Sequence, residues 1–143
     1  RACRSARRLA HGLEPDGRAF DPVHWGLERE TCPTDVQKGL APQLLEAGAD
    51  IVVGGHSHRV ESAGRMGDGF VSYGLGNFIW QREDGVSGES GVLVVTATGR
   101  QIDSYEWRPA RITNGIPTPL EGDARIQAVA AWDALRACTD LVP

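Results

Sequence analysis

The pattern of apolar and polar positions is clearest at residues 50–53, where Ile51, Val52 and Val53 form a short run with glycines close on either side. An uninterrupted apolar run of this length is typical of a strand buried on both faces, as in a parallel sheet covered by helices. Open α/β sheets bind ligands at the carboxyl ends of such strands. The run therefore predicts a central strand whose carboxyl end lies at a binding edge.

A helix is predicted directly before this strand. Thr34 and Gln37 have the spacing of a capping box, and Gly48 supplies the stop signal. Gly39 and Pro42 weaken the pattern, because an interior proline removes a backbone hydrogen bond. A helix followed by a buried strand is half of a βαβ unit. The residues predicted to face the core are Val36, Leu40, Leu44 and Leu45.

The remaining segments predict a mixed fold with antiparallel strands after the central one. Residues 1–10 predict a short helix, and residues 11–22 a loop. Strands are expected at 59–66 and 70–73 around a glycine turn, and a hairpin at 92–96 and 102–107 around Gly99. A glycine-rich loop is expected at 74–78, a polar exposed segment at 81–90, a loop at 113–119 and a final helix at 123–138.

Composition narrows the class of protein. With 143 residues, 41% hydrophobic and 24% charged, the chain suits one ordinary globular domain. A net charge of −4 gives no reason to expect a nucleic-acid partner, and no run approaches the roughly 18 apolar residues of a membrane helix. The sequence starts at Arg1 rather than Met, so we expect any export signal or membrane anchor to lie upstream of it.

Three cysteines occur at widely separated positions: Cys3, Cys32 and Cys138. They form no CxxC pair, and an odd number implies neither a zinc ribbon nor a disulfide framework. We therefore expect unpaired thiols.

The residues that carry chemistry follow the central strand. Two glycines precede His56, Ser57 and His58. Side chains two positions apart in an extended segment point to the same face, so both imidazoles can converge on one point. Converging imidazoles favour a metal site over the alternative, in which these histidines only satisfy backbone groups.

Further candidate ligands are needed, since metals of this kind take four to six donors. His24 is the best third ligand, and Glu28, four residues on, is expected to orient it or to lie in the surrounding shell. Trp25 is expected to pack in the core. Asn77, in a tight glycine-rich loop, is expected to bind substrate or to support the histidine loop, although asparagine is also a common turn residue.

Four motifs in order resemble the C-terminal half of the CapA-type capsule (poly-γ-glutamate) biosynthesis proteins. They are His24-Trp25-Gly26-Leu27-Glu28, residues 46–50, Gly55-His56-Ser57-His58 and residues 72–78. The resemblance covers about residues 20–112. It implies the calcineurin-like metallophosphoesterase superfamily, whose fold is a four-layer sandwich of two mixed sheets flanked by helices. By the same resemblance, His24 and His56 would bind one divalent metal ion and His58 the other.

The chain departs from that family pattern in two places. The superfamily's earlier motifs, Asp-x-His, Gly-Asp and Asn-His, do not occur before His24, so the carboxylate that bridges the two metals is absent. The segment leading to His24 carries Arg18, Asp21 and Pro22, which a central strand would not. We therefore expect a partial domain, with a lead-in at 1–22, a motif-bearing core at 23–112 and a C-terminal loop and helix at 113–143.

These observations predict an α/β fold with mixed sheets, the C-terminal portion of a metallophosphoesterase-like sandwich. By resemblance, the function is poly-γ-glutamate capsule biosynthesis in the cell envelope or outside the cell. The catalytic and metal-binding residues would be His24, His56 and His58, with Mn, Fe or Zn as the ion. The substrate would be phosphorylated or polyglutamate-related, and membrane association would come only through an upstream segment. The alternatives are a metal-dependent phosphoesterase acting on phosphodiesters or nucleotides, and an inactive truncated fragment.

Overall fold

The computed structural model describes residues 17–82 and 84–143, which form two β-sheets and two α-helices. A mixed α/β fold was predicted, and the structure confirms it. The predictions for residues 1–10 and 11–16 lie outside the described residues. The helices are α1 (Asp35–Glu46) and α2 (Gly122–Ala134). The strands are β1 (Phe20–Trp25), β2 (Ile51–His56), β3 (Ala63–Met66), β4 (Gly69–Ser72), β5 (Glu89–Thr98), β6 (Gln101–Thr113) and β7 (Ile116–Pro119).

The first sheet has the strand order β1-β2-β4-β3. β1 and β4 both run parallel to β2, and β3 closes the far edge antiparallel to β4. The segment that carries Asp21 and Pro22 is a strand after all, but it lies at the edge of the described sheet, where proline is tolerated because one side of the strand needs no ladder hydrogen bond. The expected strand at 59–66 is shorter than predicted, because its first four residues connect β2 to β3.

The second sheet is antiparallel, with the order β5-β6-β7. The expected hairpin is confirmed and is longer than predicted, since β5 and β6 pair from Glu89↔Arg111 to Thr98↔Gln101. The prediction of a loop at 113–119 is wrong. Asn114 and Gly115 both have positive φ (52° and 79°), as a two-residue hairpin turn requires, and β7 pairs back on β6.

Apolar side chains fill both faces of the first sheet. On one face, Val52 and Val71 pack with Tyr73, and the leucines of α1 cover them. On the other face, Ile51 and Phe70 pack against the second sheet and α2. The alternation along β2 places Ile51 and Val52 in different clusters, so the central strand is buried on both sides as predicted. None of the helices within residues 17–82 and 84–143 is long and apolar enough to cross a membrane.

Helix α1 is capped as the sequence predicts. The Thr34 Oγ accepts a hydrogen bond from the backbone N–H of Gln37. In return, the side-chain Oε1 of Gln37 accepts one from the backbone N–H of Thr34 at 2.8 Å. The predicted inward face is partly wrong. Val36 is 76% exposed, whereas Gln37 and Ala41 are buried, because the capping side chain of Gln37 turns into the protein. Leu40, Leu44 and Leu45 are partly buried against the core.

The prediction of unpaired cysteines is wrong for two of the three. Cys32, in the loop between β1 and α1, forms a disulfide with Cys138, whose Cα lies 5.8 Å away at the end of the chain. Cys138 belongs to a short 3₁₀ helix, Leu135–Cys138, that continues α2. The bond therefore ties the C-terminal segment to the loop that follows β1. Cys3 lies outside the described residues.

Tyr73 is a fully buried side chain whose hydroxyl has no hydrogen-bond partner among the described residues. Burial, followed by the charges of Asp140 and Glu61, raises the pKa of Tyr73 to about 12. Between about pH 10 and 12 the unfolded chain loses this proton while the folded chain keeps it, so the stability present below pH 10 falls as the pH rises through this window.

We therefore expect Tyr73→Phe to flatten the loss of stability between about pH 10 and 12 and to raise stability at neutral pH by about 1 kcal/mol, since no buried hydroxyl is left unpaired. Urea denaturation across this pH range measures both effects. Tyr105→Phe is the matched control, because the Tyr105 hydroxyl accepts a hydrogen bond from Arg136. An unchanged alkaline slope in Tyr73→Phe would contradict the assignment.

Candidate functional site

Two histidines meet at the carboxyl ends of the parallel strands β1 and β2. In the register of these strands His24 lies beside Gly55, and Trp25 lies beside His56. The imidazole ring centroids of His24 and His56 are 4.3 Å apart. His24 is exposed and His56 is half-buried, so both rings are accessible from solvent. The edge of the sheet that the sequence predicted as a binding edge thus carries two adjacent imidazoles.

The loop from His56 to His58 has an unusual backbone. His56 has a φ of 112° and His58 a φ of 56°. Residues other than glycine rarely adopt a positive φ. Ser57 between them is buried, and its carbonyl accepts a hydrogen bond from the Arg29 amide at 2.7 Å. Such conformations persist only where the surroundings enforce them, and they concentrate at functional sites.

The His58 ring is fixed on two sides. Its Nδ1 lies 2.7 Å from the Asn77 Oδ1, and Trp80 stacks on it with ring centroids 4.8 Å apart. The Asn77 amide donates to the Ser87 carbonyl at 3.1 Å, which orients its oxygen towards the ring. An oxygen in that position accepts a hydrogen bond from the Nδ1–H group and leaves the lone pair of Nε2 free to bind a ligand. Asn77 therefore joins the His58 ring to the Ser87 backbone.

Trp25 packs in the core as predicted and is 8% exposed. Its Nε1 donates to the Tyr73 carbonyl at 2.9 Å, directly over Gly54. A Cβ at Gly54 would lie 1.9 Å from that nitrogen and 2.1 Å from the carbonyl oxygen. Glycine at this position lets the ends of β1, β2 and β4 approach closely beneath the histidines.

The side chains at this edge of the sheet meet only some of the requirements of a divalent-metal site. The three imidazoles are suitable ligands, but the rings of His56 and His58 are 6.4 Å apart, and Glu28 is exposed and makes no hydrogen bond to His24. Within residues 17–82 and 84–143, no three side chains of His, Cys, Asp or Glu are grouped so that they could hold a metal ion. The described residues therefore include candidate imidazole ligands but no grouped set of three metal-binding side chains.

A buried polar cluster beneath the histidines was not predicted from the sequence. Glu61 is 1% exposed, and its Oε2 accepts a hydrogen bond from the Gln37 Nε2 at 3.2 Å. Burial raises the pKa of the Glu61 carboxyl above its ordinary value of 4.5, and hydrogen bonds from Ser57 and Gln37 oppose that rise. No motif marks Glu61, since its segment was predicted as a strand; a carboxylate directly after the apolar Val60 was the one available signal.

Comparison with known proteins identifies the class. Residues 22–82 match the family model described as bacterial capsule synthesis protein PGA_cap. The PGA biosynthesis protein CapA of Bacillus subtilis (strain 168) is 34% identical over 101 residues, which are 71% of this chain and 27% of that protein. The capsule biosynthesis protein CapA of Bacillus anthracis is 31% identical over 98 residues, 68% of this chain and 24% of that protein.

These matches show that the chain belongs to the CapA-type capsule biosynthesis family, as a partial chain. The family resemblance predicted from the motifs is confirmed. The chain spans about a quarter of the length of the two relatives. The residues that carry the candidate site, from His24 to Trp80, all lie within the matched segment.

Proposed function

We propose that this chain supplies the histidine-bearing part of a divalent-metal site of the metallophosphoesterase type, which acts in poly-γ-glutamate capsule biosynthesis. His24, His56 and His58 would hold the metal, and Asn77 would fix the ring of His58. A metal at such a site lowers the pKa of a bound water and stabilises charge on a phosphoryl group. The substrate would be phosphorylated or polyglutamate-related.

The single observation that carries this proposal is the meeting of His24 and His56 at the ends of two parallel strands, with ring centroids 4.3 Å apart. Core histidines that only satisfy backbone groups would be buried and hydrogen-bonded. Here His24 is exposed, and His58 is oriented through one nitrogen so that the other stays free.

The disulfide bears on where the protein acts. Disulfides between distant cysteines persist in oxidising environments and are rare in the reducing cytosol. The Cys32–Cys138 bond therefore supports folding outside the cytosol, in agreement with the cell-envelope association that the capsule biosynthesis relatives suggest. We propose an envelope or extracellular location on these two grounds.

We expect the 143-residue chain to bind Mn²⁺ weakly and to lose that binding when His56→Ala and His58→Ala are combined. Removal of two ligands should cost more than the roughly 10- to 100-fold that loss of a supporting residue costs. Calorimetric titration with Mn²⁺ measures the change. His11→Ala is the control, because the motifs leave this histidine out of the site. Hydrolysis of bis-p-nitrophenyl phosphate by this chain is expected to be slow or undetectable.

The same double variant tests the capsule role in a chimera. The matched segment of the Bacillus subtilis CapA would be replaced by the present chain in a strain that lacks its own CapA, and secreted poly-γ-glutamate would be measured. Polymer production by the parent chimera and its loss in the double variant would support the proposal. Unchanged Mn²⁺ binding in the double variant would show that the metal lies elsewhere. Rapid Mn²⁺-dependent hydrolysis of bis-p-nitrophenyl phosphate by the 143-residue chain alone would contradict the proposal that this chain carries only part of the site.

A further inference from the structure

Glu61 is a buried carboxylate without a cation. It is 1% exposed, and no Lys, Arg or His within residues 17–82 and 84–143 forms an ion pair with it. Burying such a group weakens the folded state unless hydrogen bonds compensate, and a leucine of similar size would avoid the cost. A sequence that departs from this rule commonly does so at a functional site.

The contacts of Glu61 reach the histidine loop on one side. The Ser57 side chain, between His56 and His58, lies close enough to the Glu61 carboxylate to oppose the rise in its pKa, and the Ser57 hydroxyl donates to the Arg59 carbonyl at 3.3 Å. The Ser57 Oγ also accepts a hydrogen bond from the Arg59 amide at 3.4 Å. The Ser57 hydroxyl thus connects the buried carboxylate to the backbone that holds both histidines at positive φ.

On a second side, Glu61 reaches the end of β1 through Gln37. The Gln37 Nε2 donates to Glu61, and the same side chain lies directly under the bend that follows Trp25. A Cβ at Gly26 would lie 3.0 Å from the Gln37 Nε2. The Glu61 carboxylate and the Gln37 side-chain amide therefore hold in position the bend that follows Trp25, just beyond His24.

On a third side, Glu61 reaches the segment that leads to Asn77. The Glu61 amide donates to the Gly74 carbonyl at 2.9 Å. A Cβ at Gly74 would lie 3.1 Å from both the Cδ and the Oε1 of Glu61. This close approach fixes the start of the glycine-rich loop whose asparagine orients the His58 ring.

We propose that Glu61 is a positioning residue for the histidine site, because one buried carboxylate joins the three segments that carry His24, the His56–His58 pair and Asn77. The part of this proposal that concerns metal affinity rests on the proposed function, whereas the part that concerns the geometry of the loop does not. Glu61 contacts no ligand atom; it acts through Ser57, Gln37 and the Gly74 backbone.

The test compares Glu61→Gln, which keeps an acceptor oxygen, with Glu61→Met, which removes it at similar volume. In the metal-free chain, Glu61→Met should raise the hydrogen-exchange rate of amides 57–59 by about tenfold or more, as loss of a hydrogen bond to a charged group predicts. The amides of Val52 and Val71 should keep their rates. Glu61→Gln should stay within about threefold of the parent protein. In calorimetric titrations, Glu61→Met should weaken Mn²⁺ binding by about tenfold, and Glu61→Gln should restore it.

Ser57→Ala serves as a second variant should Glu61→Met fail to fold, since it cuts the link to the loop without changing the core. It should likewise raise the exchange of the His58 amide, while the Arg59 amide is left out of the comparison because Ser57→Ala removes its own acceptor. Unchanged hydrogen-exchange rates of the loop amides in both Glu61→Met and Ser57→Ala would overturn the proposal. An equal rise in the exchange rates of amides throughout the sheet would overturn it too. If the parent protein binds no Mn²⁺, the proposed function fails, while the exchange rates still decide the role of Glu61.

Discussion

Replacing Cys32 and Cys138 together with serine is expected to lower the free energy of unfolding by about 3 to 5 kcal/mol. The bond closes a loop with a sequence separation of 106 residues. In the chain-entropy model, a crosslink across about 100 residues restricts the unfolded state by about 4.7 kcal/mol. The effect should be large because the bond anchors the C-terminal segment, whose Leu141 packs in the core and whose Val142 exchanges hydrogen bonds with Arg65.

Urea denaturation of the parent protein and of the double serine variant measures this difference. Addition of a thiol reductant to the parent protein should reproduce it, and should have no effect on the variant. Cys3→Ser is the matched control, since it removes a cysteine but leaves the Cys32–Cys138 bond in place. A double variant as stable as the parent protein would show that the bond is not formed or does not contribute.

The central strand, the capped helix and the hairpin were predictable because local pattern and tertiary role agree there. The apolar run at 50–53 had one consistent interpretation, and Thr34 and Gln37 formed the capping box that their spacing predicts. The adjacency of His24 and His56 followed from the parallel pairing of two strands. Each motif lay at a strand end, so the topology alone brought the rings together.

The wrong predictions concern features of the structure that depend on tertiary contacts. Pairing of Cys32 with Cys138 depends on α2 and the 3₁₀ helix returning to the β1–α1 loop, which sequence spacing does not show. Gln37 was expected only to cap its helix, yet its side chain also reaches the Glu61 carboxylate, and Val36 is exposed instead. The loop predicted at 113–119 rested on its two prolines, but edge strands tolerate proline, and Asn114-Gly115 forms the hairpin turn that leads into β7.

The candidate histidines could be named from the sequence, whereas the buried carboxylate near them could not. His24, His56 and His58 could be found because imidazoles after a glycine-bounded strand are a recognisable pattern. Glu61 could not, because its importance depends on burial and on contacts with Gln37 and Gly74, which are distant from it in sequence. The roles assigned to the histidines as metal ligands stay predictions.

Gly54→Ala is expected to destabilise the protein by about 3 to 5 kcal/mol and to disrupt the histidine edge. The new methyl group would meet the Trp25 Nε1 at 1.9 Å and the Tyr73 carbonyl oxygen at 2.1 Å. Forcing an atom into a packed core costs about 1 to 3 kcal/mol, and separating the buried indole–carbonyl hydrogen bond adds about 1 to 3 kcal/mol more. Because Trp25 directly follows His24, displacement of Trp25 should also move His24 away from His56.

Gly55→Ala is a close control, since a Cβ at Gly55 has nothing within 4 Å and its φ lies outside the left-handed region. That variant should stay within about 1 kcal/mol of the parent protein. Urea denaturation gives both stabilities, and the hydrogen-exchange rate of the Trp25 indole N–H, which bonds the Tyr73 carbonyl, reports whether Trp25 leaves its buried position. Equal destabilisation by the two alanines would mean that strand propensity, rather than the close approach of three strand ends, determines the need for glycine at this edge.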